Sequence, residues 1–109
     1  MNHLLIAGGT GFIGYHLALN LIKKNWKVTS LSISKPKKIR KIKEVKYLFV
    51  DVTKKNEIKN KLLDKYTHVI NLSGYTSNLY SKKYKKKIYN SHYVGTKNLI
   101  NFFLKKKNL

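Results

Sequence analysis

A glycine-rich segment near the amino terminus constrains the fold of this chain more than any other feature. Four glycines fall within seven residues, from Gly8 to Gly14. An apolar run of strand length, His3 to Ala7, precedes them, and a segment with helical periodicity follows. Because glycine permits a tight turn between a strand and a helix, this order predicts the start of a βαβ unit.

Apolar runs of strand length recur along the chain and alternate with loop or helical segments. Three follow the first run and cover Lys27 to Ser32, Lys46 to Val50 and His68 to Leu72. This alternation predicts an α/β fold, with a Rossmann-type parallel sheet and helices on both faces. Because parallel crossovers are right-handed and neighbouring strands tend to pair, we expect about four strands in the order 3-2-1-4. That order is the first half of a doubly wound sheet, which would be truncated before strand five.

Three further segments have helical character. The first extends from about Phe12 to Lys24 and ends at Asn25, and the second follows Thr53 and reaches about Asp64. The third extends from about Asn90 to Leu104. The first helix is expected to have one apolar face, formed by Ile13, Leu17, Ala18, Leu21 and Ile22. Periodicity is poor between Tyr75 and Tyr89, which we interpret as a loop with some helical content.

Length and composition indicate one partial domain, residues 1–109. With 109 residues and 42% hydrophobic content, the chain can form one core but has no room for a separate substrate domain. It contains no cysteine, and no apolar run is long enough for a membrane span or a signal peptide. We therefore expect a cytoplasmic protein without a membrane partner.

The formal net charge of +20 by itself suggests a polyanionic partner such as nucleic acid. The basic residues are all lysine except Arg40, however, and they occur together with many asparagines, isoleucines and tyrosines. Arginine is the better residue for two-pronged contacts to phosphates and bases. The composition thus indicates a general bias in residue choice, and nucleic acid is not the expected partner.

The glycine segment fits two phosphate-binding templates at once. Gly9, Gly11 and Gly14 match G-x-G-x-x-G, whereas Gly8 together with the last two matches G-x-x-G-x-x-G. A turn without side chains lets the backbone approach a pyrophosphate, and the following helix begins with its positive end toward the anion. The alternative is a glycine-rich turn without a ligand. The expected contacts to a dinucleotide are Gly8, Thr10, Gly11, Phe12, Ile13 and Gly14.

Four segments in order resemble the extended short-chain dehydrogenase/reductase family, the NAD-dependent epimerases and dehydratases. The glycine segment from Ala7 to Leu17 resembles the opening of that family. Asp51-Val52, Asn71 to Gly74 and Gly95 to Leu99 are similar to three of its later motifs, the last of them G-T-x-N-L. His92 departs from the pattern, because the family usually has asparagine at that position.

The resemblance implies further cofactor contacts. The carboxylate of Asp51 and the adjoining backbone at Val52 would hold the adenine, and Leu72, Ser73 and Gly74 would lie beside the cofactor. It also implies an NAD(P)-dependent reaction on a nucleotide sugar or a similar substrate. The catalytic Ser and Tyr-x-x-x-Lys of the family follow strand five, so we expect this chain to be inactive alone, with no catalytic residue of its own.

The end of the second strand bears on the choice between NAD and NADP. An acidic residue there usually binds the ribose hydroxyls of NAD, but this chain has Ser32. Ser32 and Ser34 can donate hydrogen bonds to a 2′-phosphate, and Lys35, Lys37 or Lys38 can supply positive charge. NADP is therefore favoured over NAD, although lysine is common throughout the chain.

Several other interpretations stay open. Tyr93 and Lys97 match Tyr-x-x-x-Lys, but the match overlaps the G-T-x-N-L motif and is interpreted as coincidental. The lysines between Tyr75 and Tyr89 could contact a nucleotide-sugar diphosphate or remain solvated.

The fourth strand would leave an apolar sheet edge open to homo-oligomers. The alternative function is a non-catalytic module that binds nucleotides or nucleic acid.

Overall fold

The structure, a computed structural model, contains a four-stranded parallel sheet and describes residues 1–73, 85–86 and 89–106. The strands are β1 (His3–Ala7), β2 (Lys27–Ser32), β3 (Lys46–Phe49) and β4 (His68–Asn71). They are hydrogen-bonded in parallel in the order β3-β2-β1-β4. The predicted fold class and strand order are confirmed, and each predicted strand lies within one residue of its observed bounds.

Helices cover both faces of the sheet. They are α1 (Phe12–Lys23), α2 (Lys55–Lys61) and α3 (Gly95–Phe103). A short 3₁₀ turn, Lys38–Arg40, lies between β2 and β3, and a π-helical stretch, Asn90–Val94, precedes α3. The last helix is therefore α-helical only from Gly95 on, five residues later than predicted. Among the described residues, no helix is long and apolar enough to cross a membrane.

The central strand β1 is buried on both of its faces, as expected for a parallel sheet between helices. Its alternate side chains enter two separate cores. Leu4 and Ile6 pack with Ala18 of α1, whereas Leu5 and Ala7 pack on the opposite face against α2 and α3. Because β1 contributes to both cores, the turn that follows it is held in place from both sides.

Helix α1 ends where the sequence predicts, but its buried face differs from the expected one. Asn25 has a φ of 65°, and its N–H and that of Trp26 donate to the carbonyls of Ile22 and Leu21, which closes the helix with a Schellman motif. Ile13, predicted to be on the apolar face, is 66% exposed. The first turn of α1 packs through the smaller Gly14, so the side chain at position 13 points away from the sheet.

A buried histidine connects β1, β2 and the segment before β4 at the amino ends of the strands, opposite the glycine turn. His3 begins β1, and its Nε2 lies 2.8 Å from the Thr29 hydroxyl of β2. Its Nδ1 lies 3.0 Å from the carbonyl of Lys65 just before β4. Since a carbonyl only accepts, Nδ1 carries a proton and donates it, and in the neutral ring Nε2 then accepts from the Thr29 hydroxyl. Burial and the nearby Lys27 lower the pKa of His3.

Candidate functional site

The four loops that follow the carboxyl ends of the strands meet at one edge of the sheet, the place where open α/β sheets bind ligands. The glycine turn after β1 lies between the other loops. The N–H of Gly8 donates to the carbonyl of Leu31 on β2 over 2.7 Å. A Cβ at Gly8 would stand 2.7 Å from the backbone N of Ser73 after β4, and the φ of Gly8 is +82°. Only glycine fits this position.

Two further glycines bring α1 directly against the turn. A Cβ at Gly14 would stand 2.6 Å from Cα of Gly9, and a Cβ at Gly9 would stand 2.1 Å from Oγ of Ser30. Real Cβ atoms do not approach other atoms this closely. Neighbouring atoms of the protein therefore occupy the space that a side chain at Gly9 or Gly14 would need.

Gly11 differs from the other three glycines. The nearest described atom to a Cβ built there is the carbonyl oxygen of Gly8, 3.9 Å away. Gly11 is also the N-cap of α1, where the described residues provide no capping side chain, and the first turn contains no acidic residue. The positive end of the helix therefore faces open space at a position without a side chain, an arrangement suited to an anion.

The space in front of the turn is bordered by apolar side chains and by an arginine. Phe12 and Ile13 are 63% and 66% exposed, although both begin α1. The guanidinium carbon of Arg40 lies 5.8 Å from the centre of the Phe12 ring. The sequence pattern pointed only to the lysines of this loop and did not indicate Arg40. The signal that could have found it is that Arg40 is the only arginine in the chain.

Ser32 and Lys35 lie in the loop that follows β2. The Ser32 hydroxyl donates to the carbonyl of Ser34 at 2.6 Å, so in this conformation its hydrogen is used within the loop and only its oxygen can serve a ligand. Lys35 is exposed. The predicted donor at position 32 is therefore available only after the hydroxyl rotates.

Asp51 and Val52 lie just after β3. Oδ1 of Asp51 accepts from both the N–H and the hydroxyl of Thr53, at 2.9 and 2.6 Å, and these bonds fix the carboxylate at the sheet edge. The side chain of Val52 is buried in the core. Its carbonyl accepts a 3.0 Å bond from Nδ2 of Asn98. A ligand contact at Val52 would therefore use the backbone, where the N–H is the donor.

The segment after β4 closes the other side of the turn. The N–H of Leu72 donates to the carbonyl of Ala7 over 2.7 Å, and Oδ1 of Asn71 accepts from the N–H and hydroxyl of Ser73. Leu72 is 37% exposed. Gly74 and most of the predicted loop from Tyr75 to Tyr89 lie outside the described residues.

Comparison with known proteins identifies the family. A family model described as the NAD dependent epimerase/dehydratase family matches residues 4–108. The chain belongs to this family.

Solved structures agree with the fold of this epimerase/dehydratase family member. A UDP-glucose 4-epimerase superimposes with a TM-score of 0.85 at 19% identity. The superposition covers 98% of this chain and 33% of the epimerase chain. A short chain dehydrogenase from Leptospira borgpetersenii with bound NAD+ has a TM-score of 0.84 at 21% identity, covering 98% and 48%. The UDP-glucose 4-epimerase of Thermus thermophilus in complex with NAD has a TM-score of 0.80 at 24% identity, covering 93% and 33%.

The chain thus spans between a third and a half of the length of these structures. At such identities the superpositions establish the fold alone. No curated protein matches the sequence significantly.

In this family member, the G-T-x-N-L motif joins α3 to the loops of the site. Asn98 holds the carbonyl of Val52, and the Thr96 hydroxyl accepts a 2.9 Å bond from Nδ2 of Asn71. Leu99 lies in the core between them. In the sequence this motif is only a family resemblance, whereas the contacts show that it positions the loops after β3 and β4.

The Tyr-x-x-x-Lys match in this epimerase/dehydratase family member lies on the surface. Tyr93 is 54% exposed and its ring stacks on Tyr89 with centroids 5.1 Å apart, and Lys97 is exposed. That the match is coincidental stays a prediction. Within the described ranges, no group of three or more histidine, cysteine, aspartate or glutamate side chains could hold a metal ion.

Proposed function

We propose that this chain binds a nicotinamide dinucleotide across the carboxyl edge of its sheet, with the pyrophosphate against Gly11. The observation that carries the proposal is the contrast among the glycines. Gly8, Gly9 and Gly14 are required by contacts within the protein, whereas Gly11 leaves open space at the start of α1. A free space there has no packing purpose, but a pyrophosphate that approaches the backbone requires it.

The remaining contacts follow from where each loop lies around this point. In this proposal the exposed Phe12 and Ile13 border the pyrophosphate, and the loops after β2 and β3 hold the adenosine, while the segment after β4 lies toward the nicotinamide. The residues proposed to line the cofactor are Gly8, Thr10, Gly11, Phe12, Ile13, Gly14, Ser32, Lys35, Asp51, Val52, Leu72, Ser73 and Gly74.

We further propose that the cofactor is NADP. Ser32 occupies the place where an acidic residue would repel a 2′-phosphate, and its hydroxyl can donate to that phosphate once it rotates away from the carbonyl of Ser34. The guanidinium of Arg40 stands over Phe12 at the mouth of the turn, and Lys35 is exposed nearby in sequence. Arginine presents a planar donor array that matches phosphate oxygens, so Arg40 adds a contact that the lysines cannot reproduce.

For the whole protein we propose an NAD(P)-dependent epimerase, dehydratase or reductase reaction on a nucleotide sugar or similar substrate. This chain would supply the cofactor site and be inactive alone, because the family's catalytic Ser and Tyr-x-x-x-Lys follow a fifth strand. The support is family membership over residues 4–108 together with spans of 33% to 48% of the solved structures. In the described sheet β4 pairs only with β1, and we propose that in the isolated chain its other edge, which the family's fifth strand would occupy, pairs with a second copy.

Thermal unfolding of the chain with NADPH, NADH and ADP, each at low and at high salt, tests the proposal. A ligand that binds only the folded state stabilises it by about 2.7 kcal/mol at a hundred times its Kd. We expect a shift that survives high salt and is largest for NADPH. A shift that disappears in salt and is matched by any polyanion would instead support nucleic-acid binding, since that binding falls steeply with salt.

A further inference from the structure

A groove lies between α2 and α3 and belongs to none of the loops that form the proposed cofactor site. Its volume is about 740 Å³. The floor is apolar, with the buried Ile58 and Leu62 from α2 and its end, and Phe102 from α3. Leu63 and Leu104 stand at its margins and are 79% and 76% exposed. Together with the floor they form one continuous apolar surface, and a contiguous apolar surface exposed in a concave place is a candidate interaction site.

The rim of this α2–α3 groove is positively charged on both sides. Lys55 and Lys59 project from α2, and Lys105 and Lys106 follow α3. In the part of the chain that the structure describes, none of these four lysines forms an ion pair. The neighbouring Glu57 is shared by two other lysines of the α2 region, 54 and 61.

One of the rim lysines lies directly over the apolar floor. The ammonium of Lys106 lies 4.8 Å from the centre of the Phe102 ring, over one face of it. A carboxylate that paired with Lys106 would therefore lie next to an apolar surface rather than in bulk water. Charge pairs at the edge of an apolar contact combine specificity with burial.

We propose that the α2–α3 groove binds an amphipathic helix of a partner protein whose apolar ridge is flanked by acidic residues. A concave apolar floor accepts a ridge of leucine-like side chains spaced along one helix face, and the lysine rims complement carboxylates on either side of that ridge. A bilayer surface is too flat to reach the floor, and nucleic acid has no apolar ridge to fill it.

The length of the groove sets the length of the partner segment. Helix α2 has 7 residues and α3 has 9. At about 1.5 Å per residue they border a groove of roughly 10 to 14 Å. The partner helix needs about two to three turns, with apolar residues at positions i, i+3 or i+4, and i+7.

The test measures binding of a fluorescein-labelled amphipathic peptide to the 109-residue chain by fluorescence anisotropy. The peptide has about three helical turns, one leucine ridge and glutamates on both flanks. We expect saturable binding that weakens at least about tenfold in the double variant Lys55→Glu/Lys59→Glu. Lys23→Glu/Lys24→Glu is the matched control on α1, where the same change of charge is expected to weaken binding less than threefold or so.

The apolar floor is tested through side chains that do not support the fold. Leu63→Gln/Leu104→Gln alters two exposed margins of the groove and is expected to weaken binding by about tenfold or more. Ile33→Gln/Ile39→Gln changes two equally exposed isoleucines elsewhere, 79% and 82% exposed, and serves as the control. Thermal melts of all four variants identify any that fail to fold.

Three results would overturn the proposal. One is equal binding of a scrambled peptide of the same composition, which keeps the charge but breaks the ridge. Another is equal weakening by the groove and control variants, which would indicate attraction to the net positive charge alone. The third is preference for vesicles of anionic lipid over the peptide, with sensitivity to the same groove variants, which would assign the surface to a membrane.

Discussion

The amide of Asn98 donates a 3.0 Å hydrogen bond to the carbonyl of Val52, and this buried contact joins α3 to the loop after β3. Asp51, immediately before this carbonyl, is proposed to contact the cofactor. The helix after β4 therefore supports the loop after β3, although two strands, β1 and β2, lie between β3 and β4 in the sheet. The same helix fixes Asn71 at the end of β4 through Thr96.

Replacing Asn98 tests this support. Asn98→Leu leaves the Val52 carbonyl buried without its donor, and an unsatisfied buried acceptor costs about 1–3 kcal/mol. We expect the free energy of unfolding, measured with urea, to fall by that amount. Asn101→Leu, on an exposed position of the same helix, is the control. Equal losses of unfolding free energy in both variants would mean that the Asn98 hydrogen bond does not contribute to stability beyond the effect of the substitution itself.

The glycines are expected to respond differently to the same substitution. Gly14→Ala places a methyl group 2.6 Å from Cα of Gly9, where neither backbone can move without separating α1 from the sheet. Overpacking of this kind costs about 1–3 kcal/mol. Gly11→Ala meets no described atom closer than 3.9 Å, so it should cost no more than about 1 kcal/mol, the loss expected when alanine replaces a better N-cap residue. Thermal melts without ligand compare the two variants. A larger loss of stability in Gly11→Ala than in Gly14→Ala would contradict the conclusion that Gly14, and not Gly11, is required for packing.

Stability is expected to fall in mild acid because of His3. Burial and Lys27 lower its pKa in the folded chain below the ordinary 6.5. The unfolded chain therefore binds the proton first, so this contribution to stability is complete above pH 6.5 and is lost as the pH falls below it. Urea unfolding between pH 7.5 and 5 measures the slope.

His3→Gln is the variant for this measurement. Glutamine retains polar atoms for Thr29 and Lys65 but has no proton to gain in this range. Its stability should change less between pH 7 and 5 than that of wild type. Asp64, whose pKa the hydrogen bond to Lys46 lowers from 3.8, loses its contribution only at more acidic pH and does not confuse the comparison. An unchanged slope in His3→Gln would contradict the role of His3.

Arg40 is predicted to set the preference for NADPH. Arg40→Ala removes the guanidinium over Phe12 and should weaken NADPH binding by about tenfold, with a smaller effect on NADH. Lys41→Ala removes an exposed charge at the next residue and is the control. Calorimetric titration of both cofactors provides the ratios. Parallel losses for NADPH and NADH in Arg40→Ala would place Arg40 outside the 2′-phosphate site.

The regular part of the fold could be predicted because local pattern and burial agree there. Residues 3–7 and 27–32 are strands with the predicted bounds, and right-handed crossovers leave one strand order for a chain of this connectivity. Helix α1 ends at Lys23, and Asn25, a residue type that tolerates positive φ, follows its C-cap. Such features depend on neighbours in sequence, and the sequence displays those neighbours directly.

Features that depend on neighbours in space could not be predicted. Ile13 has the spacing of a core residue, but the contact of Gly14 with Gly9 turns the first residues of α1 outward. Arg40 reaches Phe12 through a 3₁₀ turn that no periodic pattern announced. Both phosphate-binding templates include Gly11 and Gly14 alike, so the sequence cannot tell these two glycines apart. Only the structure shows that Gly14 is needed for packing and that Gly11 is not.

The most direct test of the central proposal is calorimetric titration of NADPH and NADH into wild type and Gly11→Val. Lys23→Val, which places the same side chain at the far end of α1, is the control. Both variants are expected to melt cooperatively near the wild-type temperature. Wild type and Lys23→Val should bind alike, and Gly11→Val should bind at least about a hundredfold more weakly, because its side chain fills the pyrophosphate space. Equal binding by a folded Gly11→Val would contradict the proposed site.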